Sequence, residues 1–119
     1  MTGFGIRVGL AALAAGLVIG QGAASAADAA KGKILFTQKY GCYQCHGNEG
    51  QGASATGPKL APNPMPYEAL ANFVRTSARE MPPYREAILP NDDLADIYAY
   101  LQSIKPAADY KAIPLLNDN

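Results

Sequence analysis

The chain's two cysteines and its single histidine all fall in one five-residue window, Cys42-Tyr43-Gln44-Cys45-His46. Scattered at random, these three residues would adopt this C-x-x-C-H arrangement about once in seven thousand cases, so the window reads as one chemical unit. Its constraint on the fold comes from the segment beyond it. From Gly47 to Pro66 the chain is loop-like, with five glycines or prolines between Gly50 and Pro62. So irregular a segment in a short chain needs something to pack against, or it argues against a compact fold.

Four chemistries compete for two thiols and an imidazole at this spacing. A structural zinc site needs four ligands, and an uncommon carboxylate would have to complete this one. A redox dithiol expects a βαβ pattern around C-x-x-C, which is missing. A disulfide closing so short a loop would constrain little and leave His46 without a role. The fourth is covalent haem. Thiols three residues apart can each add across a vinyl group of one macrocycle, and the adjacent imidazole is then held beneath the iron. Cys42 and Cys45 are therefore the expected thioether residues of one haem c, and His46 the expected axial ligand.

The head of the chain has the parts of an export signal: one positive charge at Arg7, an apolar run from Val8 to Gly20, and small residues ending in Ala24-Ser25-Ala26. Residues 1–26 are expected to be a cleaved secretory signal, leaving residues 27–119 in the periplasm. The alternative is an uncleaved membrane anchor, since no charge lies between Val8 and Ala27. Residues 27–119 carry nine basic and ten acidic side chains. With no basic patch, nucleic acid drops out as a partner. So short a chain has a small core and gains much from a cofactor.

Three helices are legible. Ala29 to Tyr40 contains Gly32 and Phe36 on one face, and Gly41 is a plausible stop. A second helix runs from about Pro66 to Ser77, with Tyr67, Leu70, Phe73 and Val74 at helical spacing. The clearest begins at Asn91, read as its N-cap, with Asp92 and Asp93 at the positive end of the dipole. Leu94, Ile97, Tyr98, Leu101 and Ile104 form its buried stripe, and Pro106 stops it. The core spans about 29–105, and the tail 106–119 has no expected structure. No strand pair is evident.

On these residues the chain resembles a class I c-type cytochrome, of the small bacterial monohaem type that serves periplasmic dehydrogenases and oxidases. The resemblance covers nearly all of residues 29–105. It rests on Gly32 and Phe36, the C-x-x-C-H window, Gly57-Pro58-Lys59-Leu60, Met81-Pro82-Pro83-Tyr84, and Ile97-Tyr98-Ala99-Tyr100-Leu101. It implies an all-α fold of three to four helices around one haem, with loops 47–66 and 78–90 over its two faces. The first and last helices would cross, Gly32 and Phe36 packing on Ile97 and Tyr100. The Pro58 carbonyl would accept a hydrogen bond from the axial histidine and so fix its tautomer.

Met81, in the loop between two helices, is then the expected sixth ligand, with Met65 as its competitor. Arg75 and Arg79 are candidate partners of the haem propionates, and Tyr43, Tyr67 and Tyr84 are candidates to line the pocket. With both axial positions filled, the implied function is one-electron transfer rather than catalysis. The partners would be a donor dehydrogenase and an acceptor oxidase or other cytochrome, with association with a membrane complex possible. The alternatives are a haem enzyme or small-ligand sensor with an open sixth position, or a fixed haem subunit of a dehydrogenase complex.

Overall fold

The structure is a computed structural model that describes Met1 and residues 26–116. The expected export signal lies almost wholly outside the described residues. The first helix, α1, spans Ala29–Ile34 and continues as a π-helical turn over Leu35–Lys39. Asp28 caps it, its side chain accepting from the Ala30 and Lys31 N–H groups. The π turn closes with the Tyr40 N–H on the Leu35 carbonyl at 2.9 Å, and Gly41 breaks the run at φ +67°. The second helix, α2, is a single turn, Tyr43–His46, formed by the C-x-x-C-H window itself.

The third helix, α3, spans Tyr67–Thr76 and the fourth, α4, Asn91–Ser103. Two short 3-10 turns, Tyr110–Ala112 and Pro114–Leu116, lie in the tail. Among the described residues the only β-type pairing is an isolated bridge between Ala53 and Gly57. The fold is all-α, and no described helix is long and apolar enough to cross a membrane.

The core forms where α1 crosses α4. Phe36, Leu94 and Leu101 are almost fully buried, with Leu35, Ile97 and Tyr100 around them. The rings of Phe36 and Tyr100 lie 5.7 Å apart, tilted at 56°. Gly32 permits the crossing: a Cβ there would collide with the Asp96 carbonyl and meet the Ile97 nitrogen at 3.0 Å. The expected contact of Gly32 and Phe36 with the last helix is thus observed.

Two features of α4 differ from the sequence-based expectation. Asn91 is not its N-cap. Pro90 occupies that position, and Asn91 is already helical, its side chain accepting from Arg75 and donating to Glu86. The buried face keeps Leu94, Ile97 and Leu101 of the expected stripe but adds Tyr100, Asp93 and Asp96, while Tyr98 and Ile104 are only half-buried. Asp96 accepts from the Asp28 N–H at 2.7 Å and from Lys31 at 2.6 Å. Asp93 accepts from Lys31 at 3.1 Å, Lys39 at 2.8 Å and the Tyr40 hydroxyl at 2.7 Å. Hydrogen bonds from Lys39 and Tyr40 hold the Asp93 carboxyl far below the usual carboxylate range. The carboxylates are buried because α1 brings cations to them.

Candidate haem site

One cavity of about 400 Å³ opens into the core, in the size range of cofactor sites. Cys42, Cys45 and His46 line it on one side, with Gly57, Pro58 and Leu60 from the 47–66 loop. Met81, Pro82 and Tyr84 line it from the 78–90 loop, and Leu94, Ile97 and Leu101 of α4 with Phe36 form its floor.

The short helix α2 puts Cys42, Cys45 and His46 on this wall. His46 is buried, and its Nδ1 lies 2.8 Å from the Pro58 carbonyl oxygen. A carbonyl can only accept, so Nδ1 is the donor, and in the neutral ring that tautomer puts the lone pair on Nε2. Gly57 makes this contact feasible. A Cβ at Gly57 would meet the Cys45 carbonyl oxygen at 2.6 Å and His46 Nδ1 at 3.0 Å. The Thr56 hydroxyl donates to the Cys45 carbonyl and the Gly52 N–H to that of His46, so the loop grips α2 at several points. Tyr100 of α4 braces the same loop by donating to the Asn48 carbonyl at 2.8 Å.

Both thiols are free, and burial pushes Cys42 up to about 11, the response of a thiol to an apolar wall. No group of three or more His, Cys, Asp or Glu side chains gathers among the described residues as a metal-ion cage would require. That disfavours the zinc reading of the motif.

Met65 and Met81 both reach the cavity wall. Met65 is 47% exposed, whereas Met81 is half-buried and packs on the hydrophobic core. Of the three candidate tyrosines, only Tyr84 lines the cavity. Tyr67 instead packs edge-on against Tyr98, and Tyr43 is exposed. Arg79 is at the cavity wall, whereas Arg75 is not. The Arg75 guanidinium donates to the Tyr84 carbonyl at 2.6 Å and to Asn91 Oδ1 at 2.9 Å. Sequence reasoning missed this fork, because both acceptors lie beyond a loop and one is a backbone atom.

The residues present fit a covalently held haem. Two unpaired thiols, one imidazole with a free Nε2 and one thioether meet at a single apolar cavity, a donor set suited to haem iron.

The comparisons with known proteins agree. Residues 27–101, well over half of the chain, match the family described as cytochrome C oxidase, cbb3-type, subunit III. A cytochrome c subunit of a cytochrome bc1 complex from Corynebacterium diphtheriae is 32% identical over 81 residues, covering 66% of this chain and 28% of that protein. The chain thus spans little more than a quarter of that relative's length. No solved structure matches the chain. Cytochrome c domains bind haem c covalently and act in electron transfer, and that much extends to this chain. The cavity, the motif on its wall and the match over residues 27–101 together make the chain a member of the class I c-type cytochromes, within the cbb3-type subunit III family.

Proposed function

We propose that this chain is a monohaem, one-electron carrier with haem c bound through Cys42 and Cys45 and its iron ligated by His46 and Met81. The observation that carries the reading is the convergence of His46, Met81 and both thiols on one cavity, with His46 Nδ1 already bonded to the Pro58 carbonyl.

When bound, the haem supplies one-electron exchange between ferrous and ferric iron. The protein's part is set by its own residues. Pro58 fixes the histidine tautomer and turns Nε2 into the ligating atom, which also makes the imidazole a stronger donor. The loops 47–66 and 78–90 give the cavity apolar walls through Leu60, Met65 and Met81. Apolar walls and a thioether ligand both disfavour the extra positive charge of ferric iron and raise the potential. A ligand on each side leaves no position for substrate, which favours a carrier over an enzyme or sensor. Arg79, at the cavity wall, is the candidate partner for a propionate.

Residues 1–26 are read as a cleaved export signal that places the domain in the periplasm, with retention as a membrane anchor the alternative. Donor and acceptor are redox proteins, such as a dehydrogenase and an oxidase or another cytochrome. The relative that is a cytochrome bc1 complex subunit favours a second reading, in which the domain works as a fixed part of a membrane complex.

The intact mass should equal residues 27–119 plus one haem that resists acid–acetone extraction, and a redox titration should be reversible with one electron. Extractable haem, or none, overturns the cysteine assignment. A full-length chain in the membrane fraction overturns cleavage alone. A pentacoordinate, high-spin ferrous spectrum with rapid carbon monoxide binding would put the enzyme-or-sensor reading ahead.

A further inference from the structure

The segment that carries Met81 is held by the packing of that side chain on the core and not by hydrogen bonds of its own. Among the described residues, no hydrogen bond involves any of residues 78–83. Pro82 and Pro83 lack N–H donors and stiffen the chain, but stiffness alone does not fix where the segment sits. Its position is set at its closing end. Three residues after Met81, Tyr84 is held three ways: its N–H donates to the Val74 carbonyl at 2.9 Å, its hydroxyl donates to the Tyr40 carbonyl at 3.2 Å, and its own carbonyl accepts from Arg75 Nη1 at 2.6 Å. The second arm of the same guanidinium reaches Asn91 Oδ1 at 2.9 Å, and Asn91 Nδ2 in turn donates to Glu86 Oε1 at 2.7 Å. Arg75 therefore ties the last turn of α3 to the loop's closing end and to the first residue of α4.

We infer that Arg75 is a positioning residue that keeps Met81 seated on the cavity, so that the fork on Tyr84 and Asn91 decides whether the sixth iron position stays closed. This rests on the reading of Met81 as the ligand. The link is mechanical. A thioether is a weak ligand and stays bound only if the backbone carrying it is held in place. Here the holding bonds are charge-assisted, and the one to Tyr84 is half-buried, the stronger class of hydrogen bond. The fork geometry is specific to arginine: a lysine would keep the charge but has no planar pair of donors to span both acceptors. The role is also distinct from pairing with a propionate, for which charge matters more than planarity.

The test compares the ferric near-infrared thioether band and ferrous carbon monoxide binding in wild type, Arg75→Ala, Arg75→Lys, Asn91→Ala and Met81→Ala. Arg75→Ala should weaken the band and speed carbon monoxide binding by about tenfold, the scale of one charged hydrogen bond. Arg75→Lys should behave nearly like Arg75→Ala, and Asn91→Ala should move both readouts part of the way. If Arg75→Ala does not fold, Arg75→Lys and Asn91→Ala carry the test, with circular dichroism confirming their helices. If Met81→Ala loses the band while the Arg75 and Asn91 variants keep wild-type spectra and binding rates, the inference fails and the Met81 reading stands. Full rescue by Arg75→Lys also overturns it, in favour of a purely electrostatic role. If wild type lacks the band, the Met81 reading itself fails, and the inference with it.

Discussion

The two halves of this molecule are held together in different ways. At the α1–α4 crossing, side chains meet side chains directly: Phe36 on Tyr100, Gly32 against the α4 backbone, and Lys31 and Lys39 on Asp93 and Asp96. Only its inner edge, where Phe36, Leu94, Ile97 and Leu101 line the cavity, faces anything else. Around the cavity, by contrast, the 47–66 and 78–90 loops are held by hydrogen bonds to backbone carbonyls, as in Tyr100 on Asn48, Thr56 on Cys45 and Arg75 on Tyr84. Ala61 and Leu89 of these loops reach the core, but Leu60, Met65, Met81 and Pro82 also line a space of about 400 Å³. Burial in that half requires a large apolar group, and burial is the dominant favourable term in folding. The first half is a scaffold and the second a holder.

This difference predicts unequal responses to damage. The largest effect is expected from removing both thioether residues. Cys42→Ala with Cys45→Ala should leave a largely unfolded apoprotein, because one helix crossing cannot offset the conformational entropy of so much loop. Circular dichroism checks this, and a stably folded double variant with native helix content would show that the cavity half does not depend on its contents.

Within the scaffold, Gly32→Ala should cost about 1–3 kcal/mol by overpacking, or more if the helices cannot separate. The added methyl meets backbone rather than a flexible side chain. Urea unfolding of the haem-bound protein measures it, and a neutral result would mean the crossing is looser than described.

A smaller effect is expected from the charge network. Asp93→Asn should cost about 1–2 kcal/mol near neutral pH, modest because its lysine partners are half-exposed and screened. The pH dependence has a definite sign. The carboxyl is held below its ordinary range in the fold, so its contribution is full above that range and is lost progressively as the pH falls from it to the depressed folded-state value. Asp93→Asn should therefore flatten the acid limb of a stability–pH profile, and an unchanged limb would remove Asp93 from the account.

Legibility in the sequence divides along the same line. The α4 stripe and the close approach at Gly32 were legible because periodicity and a missing side chain are local signals. The C-x-x-C-H window was legible because its spacing is set by chemistry. Buried Asp93 and Asp96 were not, since the pattern of polar and apolar residues marks acids as exposed, and only the crossing delivers Lys31 and Lys39 to them. Tyr40, the residue that closes the π turn at Leu35–Lys39, adds a hydrogen bond to Asp93. Asn91 resembled a cap because asparagine favours that position, yet Arg75 and Glu86 claim its side chain. Met65 and Met81 both precede a proline, and the sequence alone ranks them only through family resemblance. The structure adds that Met81 packs on the core while Met65 is half-exposed.

The choice between those methionines tests the closed, electron-carrying site most directly. The measurement is the weak near-infrared band of ferric iron bound to thioether sulfur, recorded for wild type, Met81→Ala and Met65→Ala. The band should be present in wild type and Met65→Ala and absent in Met81→Ala, which should also show a lower potential and ready carbon monoxide binding. A band that survives in Met81→Ala, or one already missing from wild type, would contradict the proposed ligation.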